Sequence, residues 1–160
     1  GNSNFSPGTG SAYLHFADKD QDVINVSPII CWDVLFGSST THLSDENDFI
    51  AALTNESRLG NIFTAATHGM ESFTQLRSIE SRRSIVKAAT TGFSIYTDPF
   101  GRIYRRLALF NRGAVTDKVI LSNAVSFYSQ YPNAFPILCL IILIVYYLKH
   151  FFFTKRDTVQ

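Results

Sequence analysis

The feature that most constrains this chain is a long apolar stretch near its carboxyl end, "AFPILCLIILIVYYLKHFFF". Residues 134–148 carry no charged side chain. Three phenylalanines after Lys149 and His150 extend the apolar character to about 20 residues, the length that a helix needs to cross the hydrocarbon core of a bilayer. We therefore predict one transmembrane helix over residues 131–153.

The charges that flank this helix predict its orientation. Lys149, Lys155 and Arg156 cluster at its carboxyl-terminal end, and basic residues are enriched on the cytoplasmic side of membrane helices. We therefore expect residues 154–160 to form a cytoplasmic tail. Residues 1–130 are then expected to form a globular part outside the cytoplasm.

The composition of the remaining chain excludes several classes of function. The whole chain has a net charge of +1, and no basic patch stands out that could bind a nucleic acid. The four histidines lack metal-ligand spacing, and there is neither a serine-elbow motif nor a glycine-rich phosphate loop. We expect no metal and no cofactor. Because the chain begins with Gly1 and no signal peptide follows, we expect further residues upstream.

Short apolar runs between turn residues predict strands. Strands are expected around residues 13–16 and 23–31, although Pro28 lacks an amide hydrogen and should restrict the second strand to a short segment from about Ile29. The run "DFIAALTN" predicts a buried strand, and "DKVILSNAV" predicts a last one. Between them, "TTGFSIYTDPFGRIYRRLALF" predicts a hairpin in which "DPFG" forms a type I turn.

One long helix is predicted over residues 67–89. Its apolar stripe consists of Phe73, Leu76, Ile79 and Val86, spaced at three or four residues or multiples of these. The opposite, polar face is expected to carry Glu71, Gln75, Arg82 and Arg83. Strands, a helix and further strands together predict a layered α/β domain.

The segment "PIICWDVLFG" places one of the two cysteines, Cys31, at the end of an apolar strand. Cys139 lies in the apolar stretch, so both are expected to be free thiols. Cys31 has two interpretations: an inert core residue, which is common for cysteine, or a nucleophile where backbone N–H groups stabilise a thiolate and an oxyanion. Asp33 has the wrong charge to stabilise a thiolate, so catalysis needs a cation and a base from elsewhere.

The order of the segments resembles the carbon–nitrogen hydrolase (nitrilase) superfamily, and within it the bacterial apolipoprotein N-acyltransferases. Those enzymes typically carry "ICYE", "SNDAWFG", "RALE" and a "GPxG" turn before a final membrane helix. This chain has "ICWD", "TNESRLG", "RSIE" and "DPFG" in the same order. The resemblance runs from Phe5 to the end of the apolar stretch. It implies an α/β fold in which residues 1–130 form the carboxyl-terminal part of a nitrilase-type α-β-β-α sandwich, followed by one transmembrane helix.

The resemblance also implies an activity and its partners. The family transfers a fatty acyl chain from a phospholipid donor to the N-terminal diacylglyceryl-cysteine of apolipoproteins, through a cysteine thioester. The transfer takes place at the bacterial cytoplasmic (inner) membrane, on its periplasmic side. A thiolate splits a slow ester aminolysis into two easier steps, and a membrane anchor keeps both lipidic substrates within reach.

The matched positions imply the site. Cys31 is the expected nucleophile, while Trp32, Asp33, Asn55 and Arg58 are expected to shape the substrate pocket. Arg58 stands where the family has a tryptophan that is expected to meet the acyl chain.

The other two members of the family's Glu–Lys–Cys triad precede its "FxPG" loop and have no match in this sequence. Lys19, Glu46 and Glu56 lie in the wrong segments. The base and the lysine are therefore expected from an upstream part of the same enzyme or from a partner chain.

Other matched residues are expected to be structural. Arg77 and Glu80 should form an ion pair between the helix and the sheet, because a buried carboxylate needs a partner. Thr91, Gly92 and Ser94 should allow close packing of strands.

Two alternative functions remain open from the sequence. One is a membrane-tethered amidase of the same superfamily that acts on a small amide. The other is an inactive membrane-anchored module that binds lipoproteins or other proteins without chemistry. One structural consequence is common to all three: half of a sandwich should expose one face of its sheet.

Overall fold

The computed structural model describes residues 13–17, 21–41, 47–57 and 64–157. Its centre is a six-stranded sheet in which each strand pairs with the next along the chain. The strands are β1 (Leu14–Ala17), β2 (Val23–Ile30), β3 (Phe49–Thr54), β4 (Ser84–Ala89), β5 (Ser94–Thr97) and β6 (Ile103–Leu107). The pairs β2–β3 and β3–β4 are parallel. The pairs β1–β2, β4–β5 and β5–β6 are antiparallel.

A short 3₁₀ turn and four helices complete the described architecture. The turn is Cys31–Leu35, and the helices are α1 (Ser38–Thr41), α2 (Thr64–Ser81), α3 (Phe127–Gln130) and α4 (Ala134–Asp157). Helix α2 joins β3 to β4 and packs on one face of the sheet. The core between them consists of Ile29, Val34, Ile50, Ala52, Met70 and Ile85. The predicted α/β fold is confirmed.

Strand β2 is longer than the sequence predicted. Pro28 was expected to shorten it, but β2 runs through Pro28 over eight residues. The pairing of β1 with β2 reaches only Val26, so among the described residues the rest of β2 has a strand neighbour on one side alone. A proline is tolerated there because an edge position needs no donor towards the open side.

Helix α2 is shorter than predicted. It ends at Ser81, and Val86 belongs to β4 rather than to the helix. Arg82 follows with φ +54°, a left-handed conformation that stops a helix.

The predicted faces of α2 were also wrong. Phe73, Leu76 and Ile79 are each about 40% exposed, whereas Glu71 and Arg83 are buried. The face of α2 towards the sheet consists largely of small hydroxyl residues. Thr74 and Ser78 donate to helix carbonyls four residues earlier, and Ser78 also pairs with Thr97 on β5 at 2.5 Å. Satisfied hydroxyl groups allow the helix to approach the sheet closely.

The predicted hairpin is confirmed. β5 and β6 are joined by Asp98–Gly101, where the Gly101 amide donates to the Asp98 carbonyl at 2.9 Å. Asp98 Oδ1 also accepts the amides of Phe100 and Arg102. Gly101 has φ +78°, a conformation that favours glycine. An added Cβ would also lie 2.8 Å from the Ile79 side chain, so the space requires glycine as well.

The predicted last strand, at residues 117–125, is not a strand. Instead, side chains of the sheet hydrogen-bond to its carbonyls. Tyr104 Oη donates to the Lys118 carbonyl at 2.8 Å and Ser84 Oγ donates to the Ile120 carbonyl at 2.5 Å. The segment therefore crosses the sheet face instead of extending its edge.

The contact between Arg105 and Asp117 predicts a pH effect. Arg105 Nε donates to Asp117 Oδ2 at 2.5 Å, and this hydrogen bond lowers the pKa of Asp117 below its ordinary value of 3.8. The stability that this contact contributes is present above pH 3.8 and is lost as the pH falls through the lowered pKa. In Arg105→Gln, carboxyl NMR should show the Asp117 pKa rising towards the ordinary value. An unchanged titration would contradict the assignment of the cause.

Two of the apolar surfaces that described residues leave uncovered lie on the sheet and on α4. Leu14, Phe16, Ile30 and Leu53 lie on the face of the sheet away from α2 and are about half exposed or more. Helix α4 is the second surface. Its first 18 residues, Ala134–Phe151, have a mean hydropathy of 2.0 and are 0% buried. The helix is therefore long and apolar enough to cross a membrane.

Candidate active site

The candidate site lies where the three parallel strands end. An open cavity of about 450 Å³ is formed at the carboxyl ends of β2, β3 and β4. This edge of a parallel sheet is where α/β proteins commonly bind ligands. The described residues that line the cavity are Ile30, Cys31, Leu53, Thr54, Asn55, Ala88, Ala89 and Thr90.

Cys31 is the first residue after β2 and is half-buried. Its φ of +53° is in the left-handed region, which a non-glycine residue rarely adopts. Such strained positions are concentrated at functional sites, where the surrounding structure enforces them. The chain turns sharply at Cys31 instead of continuing along the sheet, and this places the thiol at the rim of the cavity.

Asp33 holds this turn. Its Oδ2 accepts the Ile30 amide at 3.0 Å, and its carbonyl accepts the Phe36 amide at 3.0 Å. The carboxylate therefore fixes the backbone just before Cys31, and the Asp33 main-chain carbonyl closes the 3₁₀ turn after it. Sequence reasoning assigned Asp33 to the pocket, but the structure places it in the support of the turn and not among the residues that line the cavity.

Asn55 connects the ends of two strands. Its Oδ1 accepts hydrogen bonds from Ser57 N at 3.1 Å, Ser57 Oγ at 2.6 Å and Thr90 Oγ1 at 3.0 Å. Thr90 follows β4, so this contact joins β4 to the loop after β3. The predicted residues Cys31 and Asn55 thus lie on one cavity.

Two predicted pocket residues remain, Trp32 and Arg58. Trp32 is 54% exposed and does not line the cavity. Arg58 lies outside the described residues.

Sequence reasoning missed a buried ion pair beside the cavity. Lys87 Nζ lies 2.6 Å from Glu56 Oε1, with side-chain exposures of 0% and 1%. Thr54, which lines the cavity, donates to the same Glu56 oxygen at 3.1 Å. A Cβ on Gly92 would lie 2.0 Å from Glu56 Oε2, so this glycine leaves room for the Glu56 carboxylate. The available signal was the lysine inside the apolar run "SIVKAA", since a buried charge requires a partner.

Arg77 and Glu80 do form an ion pair, at 2.7 Å between Nη1 and Oε2. The pair joins two residues of α2, so the predicted link between helix and sheet is wrong. The positions are three residues apart and therefore share one face of the helix. Burial raises the pKa of Glu80, and the Arg77 charge partly offsets this rise.

The cavity holds one element of a catalytic apparatus. Among its described lining residues there is a thiol, two hydroxyls and an amide, but no carboxylate, lysine or histidine. Glu56 and Lys87 neutralise one another beneath the cavity and so do not supply a free base and a free cation. A thiol nucleophile at this place needs its base from another part of the protein.

Comparison with known proteins confirms the resemblance to apolipoprotein N-acyltransferases. The chain is 28% identical to that of Chlorobaculum tepidum over 141 residues, 88% of this chain and 26% of the relative. It is 25% identical to the Pseudomonas syringae pv. tomato enzyme over 119 residues, 74% of this chain and 23% of the relative. The chain thus spans about a quarter of the length of these curated relatives. No protein-family profile matches it.

Solved structures confirm the fold. A cysteine-to-alanine mutant of an amidase from Nesterenkonia AN1, of the nitrilase superfamily, superposes with a TM-score of 0.51 at 16% identity. The match covers 66% of this chain and 40% of the amidase. Another structure of this amidase, with a TM-score of 0.50 and 17% identity, carries an acetamide moiety on its active-site cysteine. The sheet with its α2 layer is therefore part of a nitrilase-type fold.

Proposed function

We propose that this chain is the nucleophile-bearing part of an apolipoprotein N-acyltransferase, with Cys31 as the residue that carries the acyl group. The observation that carries the proposal is the position of Cys31, held in a left-handed turn at the rim of an open cavity at the carboxyl ends of three parallel strands. The similarity to named acyltransferases over 88% of the chain supports it.

The proposed reaction has two steps. In the first, the Cys31 thiolate attacks the acyl carbonyl of a phospholipid, a carbon–sulfur bond forms, and the ester carbon–oxygen bond breaks. The lysophospholipid oxygen leaves with a proton from the general acid. In the second, the α-amine of a diacylglyceryl-cysteine attacks the thioester, an amide forms, the carbon–sulfur bond breaks, and a base takes the amine proton. A base and a lysine from an upstream part of the enzyme, or from a partner chain, complete the apparatus.

The described residues suit an acyl chain. Ile30, Leu53 and Ala88 give the cavity a mainly apolar lining that is open to the outside. Asp33 positions Cys31 through the turn, and Asn55 keeps the ends of β3 and β4 together. We assign Trp32 and Arg58 to the entrance for the acyl donor.

We propose that α4 spans the membrane and keeps this chemistry at a lipid surface. We propose that residues 1–130 form the nitrilase-like part, 131–153 the membrane span and 154–160 the tail. The globular part then lies on the periplasmic side of the inner membrane and the carboxyl terminus in the cytoplasm. The basic residues Lys149, Lys155 and Arg156 support this orientation.

A substrate comparison tests the proposed function. The native protein, extracted from membranes with its natural partners, should release lysophospholipid from phospholipid and acylate a diacylglyceryl-cysteine peptide, while it leaves small soluble amides intact. Turnover of a soluble amide without phospholipid cleavage would establish the amidase instead. Binding of the lipopeptide with no product from either substrate would establish the binding module.

A further inference from the structure

The outer face of α2 carries large apolar side chains beside the exposed Ser72, where a solvent-facing helix is normally polar throughout. Phe73, Leu76 and Ile79 form a stripe along the helix, and each is about 40% exposed. Phe100, in the β5–β6 turn, continues the stripe, because its neighbour Gly101 is in contact with Ile79 and accepts a hydrogen bond from Gln75. Phe100 is 61% exposed.

The same surface extends to α3. Ser126 Oγ donates to the Glu80 carbonyl at the end of α2, which places the start of α3 beside the stripe. The rings of Phe127 and Tyr131 are tilted by 43° with their centroids 5.4 Å apart, and both side chains are more exposed than buried. We call these residues together the α2 surface: Phe73, Leu76, Ile79, Phe100, Phe127 and Tyr131.

The α2 surface is continuous with the membrane helix. Three residues separate α3 from α4, so the end of α3 lies at most about 14 Å from the first residue of the span. If α4 crosses a bilayer, α3 must lie in or beside the headgroup region. Aromatic residues such as Phe127 and Tyr131 are favoured at that depth.

Two arginines at the edge of the α2 surface fit lipid phosphates. Arg82 and Arg102 lie 5.4 and 5.5 Å from the centroid of the Phe100 ring. The Arg102 side chain is 78% exposed, and its distance to Asp98 is 3.9 Å. Asp98 already accepts two backbone amides of the turn. An apolar surface edged by basic side chains is typical of an element that lies in the membrane interface.

We propose that the α2 surface lies against the headgroup region of the bilayer that contains α4. Because α2 joins two parallel strands, it runs antiparallel to them, and the strands then lie along the membrane plane. The sheet is held about one helix diameter, roughly 10 Å, from the lipid. Both ends of the sheet, including the Cys31 cavity, stay at a similar height above the membrane. The proposal rests on α4 being in the bilayer and not on acyl transfer.

Fluorescence quenching by brominated lipids tests this docking. The chain has one tryptophan, so a Trp32→Phe background allows single reporters at Phe100→Trp and Phe127→Trp in the full chain in nanodiscs of phosphatidylcholine and phosphatidylglycerol. Phe135→Trp in α4 is the positive control. Phe16→Trp, on β1 at the opposite edge of the sheet and similarly exposed, is the negative control.

The proposal predicts that lipids brominated near the headgroup quench the reporters at 100 and 127 at least about twofold, while the reporter at 16 is unaffected. Arg102→Glu should weaken quenching at 100, and the exposed control Arg112→Glu should not. Quenching at 135 alone would overturn the proposal, since the surface would then face water, a second copy or another protein. Equal quenching at 16, or none at 135, would overturn it as well.

Discussion

Replacement of Cys31 by alanine is expected to reduce acyl transfer at least about a thousandfold, because the covalent intermediate has no other carrier. Loss of a nucleophile removes a complete step of the reaction instead of weakening one interaction. The measurement is the rate of lysophospholipid release from radiolabelled phospholipid by the membrane-extracted protein. In Cys31→Ser the hydroxylamine-labile acyl label should disappear too.

The chain offers a matched control. Cys139 is also a free thiol, but it lies in α4 and lines no part of the described cavity. Cys139→Ala should retain nearly full activity. Similar losses in both variants would mean that the rate reports folding or membrane insertion, and near-normal activity in Cys31→Ala would exclude Cys31 as the nucleophile.

Replacement of Lys87 by methionine is expected to destabilise the globular part by about 3–5 kcal/mol, because it leaves the carboxylate of Glu56 buried without a counter-charge. The two side chains are almost completely buried at 2.6 Å. Hydrogen–deuterium exchange in β3 and β4 should therefore accelerate by about two to four orders of magnitude. Circular dichroism can confirm that helix content persists.

Two further variants separate charge from packing. Adding Glu56→Gln to Lys87→Met should recover part of the loss, because the buried charge is then removed. Arg105→Met breaks the exposed pair with Asp117 and should destabilise the protein much less than Lys87→Met does, since solvent screens such contacts. Equal losses of stability in Lys87→Met and Arg105→Met would show that the buried Glu56–Lys87 pair contributes no more than an exposed ion pair.

The parts of the fold that follow from local chemistry were predictable. The "DPFG" turn needs only a proline, a capping aspartate and a glycine in sequence, and the long apolar helix α4 needs only length and apolarity. The strand in "DFIAALTN" was predictable too, since a short apolar run between turn residues is typical of a strand. Each of these features is specified by neighbours in the chain.

Features that depend on distant neighbours were not predictable. The apolar stripe of α2 indicated a buried face, yet Thr74 and Ser78 face the sheet and Phe73 faces outwards. No local pattern reveals that hydroxyl groups satisfied within the helix allow a closer approach than phenylalanine does. The apolar run in residues 117–125 predicted a strand, but this segment packs across the sheet face.

The candidate site was predictable in part, for the same reason. The strand before Cys31 indicated that the thiol lies at a sheet edge, and the resemblance to acyltransferases assigned it a role. The function of Asp33 as a support for the turn depends on a hydrogen bond to Ile30 that sequence does not show. The Glu56–Lys87 pair joins residues 31 positions apart and needs the register of β3 and β4.

The most direct test of the proposed function is peptide mass spectrometry of the native protein after exposure to phospholipid with a labelled acyl chain. The account predicts an acyl group on the peptide that contains Cys31, lost on hydroxylamine treatment and lost again when a diacylglyceryl-cysteine peptide is added. An acyl group on Cys139, or an unmodified Cys31 while phospholipid is consumed, would contradict it.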